Sequence, residues 1–337
     1  MIPRNNHRLK QITLIYTAFL LIWFGLWLTI GDGFWWLTLL NRLVPYLFVP
    51  APVLILPALL NRQRWLILAL LIPAALFIFL YQPYLIPRPT QAQAGEAAGL
   101  KVMTYNVLFS NSNYQAVANV ILTYQPDLVA LQEVQPEMID ELVKRLADAY
   151  PYHLMGHHNQ YGTTAAFSRH PLRDAYVLDL QADRPAVVLK VDVEGREITF
   201  ISAHLLAYGL WWVPWLDIPA TVNLRTFNQN RQAQLILEEI QKAAGPVIVA
   251  CDCNSKETSS SYRLLNGYLT NAARQVGWVI NQRSLPGAAS DTNLQHIDYV
   301  FYRGALTPDG VYTIQDSGGS DHLPVLTFFV TTQPYSK

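Results

Sequence analysis

Val-Ile-Val-Ala-Cys-Asp-Cys-Asn, residues 247–254, joins a run of β-branched and small apolar side chains to two polar residues, Asp252 and Asn254. A short apolar run of this composition reads as a buried strand, and a strand delivers the side chains at its end with little freedom. Side chains alternate on an extended chain, so Cys251 and Cys253 fall on the face opposite Asp252 and Asn254. They are expected to be two small buried hydrophobes, since cysteines one residue apart bridge only with strain. Two cysteines in 337 residues also exclude a disulfide framework and a four-thiolate zinc site.

The same form recurs along 100–330. Further strands are expected at Leu100–Val107, Asp127–Gln132, Thr163–Ser168, Ala186–Val191, Ile198–Ala203, Ile297–Tyr302 and Val325–Val330. Helical spacing marks Tyr114–Tyr124, Met138–Leu146 and Asn228–Ala243. Alternating strands and helices over this length imply an α/β sandwich. Polar residues sit at the strand ends: Asn106, Glu133, His204, Asp298, and Ser320-Asp321-His322 before the last strand. Each one alone is an ordinary cap or turn former; together they converge on one site.

The ordered set Thr-Tyr-Asn (104–106), Gln-Glu (132–133), Phe-Ser-Arg (167–169), Ala-His (203–204), Cys-Asp-Cys-Asn (251–254), Ile-Asp-Tyr (297–299) and Ser-Asp-His (320–322) resembles the endonuclease/exonuclease/phosphatase superfamily. That superfamily includes pancreatic-type deoxyribonucleases, apurinic-site endonucleases, neutral sphingomyelinases and inositol polyphosphate phosphatases. The resemblance covers residues 100–330 and implies a four-layer α/β sandwich, two mixed sheets face to face with helices outside. It implies metal-assisted phosphoester hydrolysis with Mg²⁺ or Mn²⁺, whose preference for oxygen ligands suits these carboxylates. By resemblance, Glu133 is the principal metal ligand, with Asn106 beside it and Asp321 acting directly or through water. Asp252 orients and deprotonates the attacking water, Asn254 holds that water or donates to phosphate, and His204 and His322 donate to phosphoryl oxygens. Asp298 resembles the residue that fixes the tautomer of His322 and favours its cation. The chain departs from the usual Gly-Asp-Phe-Asn by having Cys251 and Cys253 around Asp252.

The amino-terminal third is a different material. Of the chain's 24 basic and 24 acidic residues, residues 1–84 hold six basic and one acidic, a net of +5, leaving 18 against 23, a net of −5, for the rest. Uncharged apolar runs at 12–30, 43–60 and 65–87 are read as three membrane spans, and 88–99 as a linker. The second run is marginal and, with Pro45, Pro50, Pro52 and Pro57, is expected to be kinked or broken. Arg4, Arg8, Lys10, Arg62 and Arg64 place the amino terminus and the 61–64 turn in the cytoplasm by the positive-inside rule. Three crossings then put residues 100–337 outside the plasma membrane; two would leave them inside. Arg42 lies on the wrong side of this scheme. The layout is similar to the VanJ-type teicoplanin-resistance membrane phosphatases that act on undecaprenyl pyrophosphate.

Trp211, Trp212 and Trp215 stand in a loop after His204 whose only charge is Asp217. Two readings stay open for them, a packed satellite core or a segment that dips into the headgroup layer. Arg231, expected near the start of a helix, either reaches a second phosphate or is a solvated helix residue. His157 and His158 are expected in a solvated loop, and His296 to be structural. A net −5 without a basic run argues against nucleic acid as substrate and favours a phosphorylated lipid in the bilayer. The competing functions are a membrane-tethered nuclease and a non-catalytic membrane interaction module.

Overall fold

The computed structural model describes residues 4–86, 99–157, 162–277 and 296–331. The linker expected over 88–99, except Gly99, and His158 lie outside the described residues.

The sandwich has two six-stranded sheets. The first runs β11 (Leu306–Thr313), β12 (Val325–Thr331), β1 (Gly99–Asn106), β2 (Leu128–Val134), β4 (Thr163–Ser168), β3 (Tyr152–Met155). The second runs β5 (Leu172–Asp179), β6 (Pro185–Val193), β7 (Arg196–His204), β8 (Val247–Asp252), β10 (Asp298–Arg303), β9 (Thr270–Asn271). Among the described residues only β1–β2 and β7–β8 pair in parallel. Val102, Leu128 and Ala130 of the first sheet meet Leu189, Phe200, Ile248 and Ala250 of the second in the layer between them. Each large apolar side chain buried there is worth about 1.5–3 kcal/mol.

The alternate residues face outward. Met103, Tyr105, Val129 and Leu131 pack under α6 (Tyr114–Tyr124) and α7 (Pro136–Leu146). Ile201, Val249, Cys251 and Cys253 pack under α8 (Ile218–Gln241) and α9 (Ser260–Tyr268). Helix α10 (Ala272–Val276) follows β9. The helix read from 228 starts ten residues earlier, at Ile218, because Pro219 in its first turn suits a helix start.

The cysteines are buried as expected but form a disulfide, contrary to the expectation of free thiols. An extended strand would hold them about 6.6 Å apart. Here β8 ends at Asp252, the chain turns, and their Cα atoms lie 5.2 Å apart, within disulfide range.

Five helices precede the sandwich: α1 (Arg4–Thr29), α2 (Trp35–Arg42), α3 (Val44–Leu47), α4 (Pro50–Leu60) and α5 (Arg64–Leu85). His7–Thr29 and Arg64–Leu85 are long and apolar enough to cross a membrane. Trp35–Arg42 and Val44–Leu60 pass that test only together, bent by 77°. The break falls beside Pro45, which lacks the N–H a continuous helix needs. Helix α2 lies against α8 of the sandwich, which explains the misplaced Arg42: it sits between anchor and domain, not in a loop that sets orientation. The carboxyl ends of α1 and α5 both meet the domain, through Trp27 with Thr258 (2.8 Å) and Tyr84 with Glu257 (3.0 Å). At 1.5 Å per residue, Arg64 at the start of α5 lies about 30 Å away, at the opposite end of the bundle.

Candidate active site

The polar strand ends meet where the sheets part. His204 at the end of β7 and Asp298 at the start of β10 flank Asp252 at the end of β8, in one row across the second sheet. From the first sheet, Asn106 donates through Nδ2 to Asp252 Oδ2 (2.9 Å), while its own Oδ1 accepts from the Leu108 N–H (3.0 Å). Ser320 ties the last loop in, donating to the Asn106 carbonyl (2.6 Å) and accepting from the His322 N–H (3.0 Å).

Two residues of the site stand on left-handed backbone. Glu133 (φ 60°) occupies a register shift between β2 and β4, and such a bulge re-aims a side chain. Asn254 (φ 46°) turns back after β8, its N–H donating to Asp252 Oδ1 (3.0 Å). Strain of this kind costs about 1–3 kcal/mol per residue and persists only where the surroundings enforce it. Gly162 leaves room for the Glu133 backbone in this conformation: a Cβ there would lie 2.6 Å from the Glu133 carbonyl carbon.

The two histidines are shifted in opposite directions. His322 lies between two carboxylates, Nδ1 2.8 Å from Asp298 Oδ2 and Nε2 3.8 Å from Asp252 Oδ2. Burial opposes its protonation, but Asp298 and Asp252 outweigh burial and hold it upward, as an imidazolium. His204 is pushed well below the usual range by burial, then by Arg184 and His322. A guanidinium only donates, and Arg184 Nη1 lies 3.3 Å from His204 Nδ1. On the other side of the ring, Nε2 lies 3.1 Å from the Asn254 amide nitrogen, which donates as well, and 3.6 Å from Asp252 Oδ2 and 3.8 Å from Glu133 Oε1. Burial, then the Asp298 charge, push the Asp252 carboxyl up to about 7. A carboxylate poised there can accept a proton near neutral pH.

The donor set fits a hard divalent cation. Among the described residues, the group of three His, Cys, Asp or Glu side chains close enough to share an ion is Asp252, Asp298 and His322. His322 spends Nδ1 on Asp298, however, so this trio is better built for moving a proton than for ligation. Glu133 uses Oε2 for the Phe109 N–H (3.1 Å) and turns Oε1 to the site. Asp298 Oδ1 and Asp321 Oδ1 are both buried without a hydrogen-bond partner, a costly state for a carboxylate unless a cation faces it. Glu133 Oε1 and Asp321 Oδ1 are thus carboxylate oxygens with capacity left for a cation.

The sequence matches the Endonuclease/Exonuclease/phosphatase family over residues 103–322, which include this whole cluster. The chain belongs to that family. A stretch of 118 residues is 35% identical to an uncharacterized protein of Caenorhabditis elegans, covering 33% of this chain and 36% of that one, so the match spans about a third of the relative's length. Among solved structures, D. rerio TDP2 complexed with single strand DNA product is 20% identical, with a TM-score of 0.56 over 69% of this chain and 100% of that one. The family protein of Beutenbergia cavernae is 22% identical, TM-score 0.54, covering 69% and 72%. The human Nocturnin catalytic domain with bound sulfate anion is 22% identical, TM-score 0.53, covering 69% and 94%. At such identities the likeness establishes the fold; family members are phosphoesterase and nuclease hydrolases, and the family typically uses divalent metals.

The other expected residues lie elsewhere. Arg231 is in the middle of α8, not near its start, and donates to Glu238 (2.9 Å) instead of to a site residue. Trp211, Trp212 and Trp215 are 94%, 95% and 76% exposed, which removes the satellite-core reading. Leu216, Leu224 and Phe227 extend the same exposed apolar surface. His157 is exposed, and His296 pairs with Glu257 at 3.1 Å. Arg184 and Gly162 escaped the sequence reading because neither lies at a strand end in a recognisable motif; the Pro after Arg184 and the Thr pair after Gly162 signal only a strand start.

Proposed function

We propose that this chain is a multi-pass plasma-membrane hydrolase that uses a divalent cation, Mg²⁺ or Mn²⁺, to cleave the phosphoester or pyrophosphate of a lipid headgroup on the extracytoplasmic face. The observation that carries this reading is the bonding of the catalytic loop to the ends of apolar, membrane-length helices, with three exposed tryptophans next to it. Indole rings favour the headgroup layer and are costly to leave in water. A site there meets substrates confined to the same plane. The outward orientation is supported by Arg42, which no longer counts against the positive-inside rule, and by the disulfide, a bond that persists in oxidising compartments.

The residues divide the work. Asp252 accepts the proton of a water attacking phosphorus in line with the leaving oxygen. His204 and the Asn254 amide donate to phosphoryl oxygens, and the His322 imidazolium, held by Asp298, offsets charge that grows there. A cation held by Glu133, Asn106 and Asp321 would supply Lewis-acid polarisation of the phosphoryl group.

The test is incubation of the purified full chain with Mg²⁺ and undecaprenyl pyrophosphate, sphingomyelin, phosphoinositides or plasmid DNA. Lipid turnover is expected. Cleavage of DNA alone would replace the lipid reading with a tethered nuclease, and turnover of nothing would leave the membrane interaction module. Glu133→Ala and His322→Ala are expected to remove turnover with the circular dichroism unchanged. Changing the three tryptophans to serine should lower turnover of lipid in vesicles at least about tenfold, given the apolar area withdrawn, while a water-soluble ester is cleaved as before.

A further inference from the structure

The segment after β8 is held from outside its own domain. Trp27 donates to the Thr258 carbonyl (2.8 Å), Thr258 donates to the Asn41 carbonyl, and Asp32 accepts from the Ser260 N–H (2.6 Å). One of these anchor contacts reaches the site itself. Arg42 Nη1, at the last residue of α2, donates to the main-chain carbonyl of Asn254 (3.0 Å). The guanidinium also stacks on Tyr208, 4.3 Å from the ring centroid, in the loop that leads from His204 to the tryptophans. One side chain of the membrane anchor thus spans both loops that leave the catalytic strands.

The peptide it holds matters to the chemistry. Asn254 is a non-glycine residue on left-handed backbone, its N–H bound to Asp252 Oδ1 and its amide against His204. Its carbonyl has two donors, Arg42 from the anchor and Gln229 Nε2 from α8 (2.9 Å). Loss of the Arg42 bond would leave Gln229 alone on that carbonyl and remove one of the contacts that enforce the left-handed turn, on which the placement of the Asn254 amide and its N–H bond to Asp252 depend. Displacements of about 1 Å at such groups lower turnover by about a hundredfold.

We propose that Arg42 is a positioning residue of the hydrolytic site, so that the membrane anchor is part of the active site and not only a tether. This rests on the reading of the Asp252 cluster as hydrolytic, and does not depend on a lipid substrate. The test uses the full chain in detergent micelles with Mg²⁺ and the water-soluble bis(4-nitrophenyl) phosphate and 4-nitrophenyl phosphate, so that membrane engagement drops out. Arg42→Ala should lower kcat about 10–100-fold, the range for groups that orient catalytic ligands, with KM changed less than about threefold. Arg42→Lys, which keeps a donor and a cation over Tyr208, should recover part of that loss. Arg263→Gln is the control for general anchoring: Arg263 bonds the Trp27 carbonyl (3.3 Å) and stacks on that indole without touching Asn254, so kcat should hold while thermal stability falls. Equal kcat in Arg42→Ala and the wild type overturns the proposal, as does an equal fall in kcat in Arg42→Ala and Arg263→Gln. Should Arg42→Ala fail to fold, Tyr208→Leu replaces it: a lower kcat at constant KM supports the proposal and an unchanged kcat overturns it. A wild type that cleaves neither ester nor any lipid or DNA would instead remove the hydrolytic reading beneath it.

Discussion

Asp252, the last residue of β8, and Glu257, five residues on in the loop that follows, are each largely buried and each face a histidine, yet their electrostatics are opposite. Glu257 accepts from Tyr84 (3.0 Å) and pairs with His296 (3.1 Å) where α5 meets the domain. Burial raises its pKa, but those bonds outweigh burial and the net shift is downward. Asp252 also has partners, Asn106 and the Asn254 N–H, but a second carboxylate, Asp298, stands beside it and the net shift is upward. A fully partnered carboxylate is fixed in one charge state and joins two parts of a protein. A carboxylate crowded by another is poised between states and can move a proton.

Exchanging each acid for its amide separates the two. Asp252→Asn keeps the shape and removes the proton acceptor, so kcat/KM should fall about 10²–10⁴-fold, the usual worth of a general base. Its thermal stability should hold or rise, because a buried charge is gone. Glu257→Gln should do the reverse: turnover of a soluble ester near wild type, and stability lower by about 1–3 kcal/mol from partners left unpaired. Steady-state kinetics and thermal unfolding on the same preparations check both, and an Asp252→Asn protein of full activity would dissolve the contrast.

Both acids also show what was legible in the sequence. Strand ends carrying Asn106, Glu133, His204, Asp252, Asp298 and His322 could be read because central strands are apolar and β-branched on both faces, so a polar terminus stands out. The strands that went unread, β3, β5, β9 and β11, are the edges of the two sheets. An edge pairs on one side only and faces water, and its polar sequence looks like loop. Arg42, Arg184, Gly162 and the Glu257–Tyr84 junction were illegible for another reason. Their partners are remote in sequence, 212 residues away for Arg42 and Asn254, and no local pattern encodes that contact. The disulfide is not legible because an extended strand would hold the two cysteines too far apart, whereas the chain turns after Asp252.

A smaller effect separates the two histidines. Asp298 holds His322 Nδ1 at 2.8 Å and helps keep it cationic, but by the proposed roles it neither accepts the water's proton nor donates to phosphate. Asp298→Asn should therefore cost about 10–100-fold in kcat, as for other residues that orient a catalytic group, and less than Asp252→Asn. The structural counterpart, His296→Asn, should leave kcat unaltered and lower only the unfolding temperature. A kcat loss in Asp298→Asn as large as that of Asp252→Asn would mean that the two carboxylates act as one dyad.

The smallest effect is read by pH. Glu257 has a folded pKa below its unfolded value, so its stabilisation is fully present above the unfolded value, about 4.3, and is lost as pH falls through the folded value. Asp252, shifted upward, contributes with the opposite sign: its charged form is disfavoured by folding, so protonation near neutral pH stabilises. Between pH 7 and pH 5 the Asp252 contribution should thus favour the folded chain, and below pH 4.5 the loss at Glu257 should reverse the trend. The difference in unfolding temperature between wild type and Glu257→Gln, followed from pH 7 to pH 3, isolates the second contribution, because every other group is shared. That difference should be constant down to about pH 5 and shrink below it. A difference that instead grows on acidification would show that Glu257 is protonated in the folded chain, and that the junction resembles the catalytic acid after all.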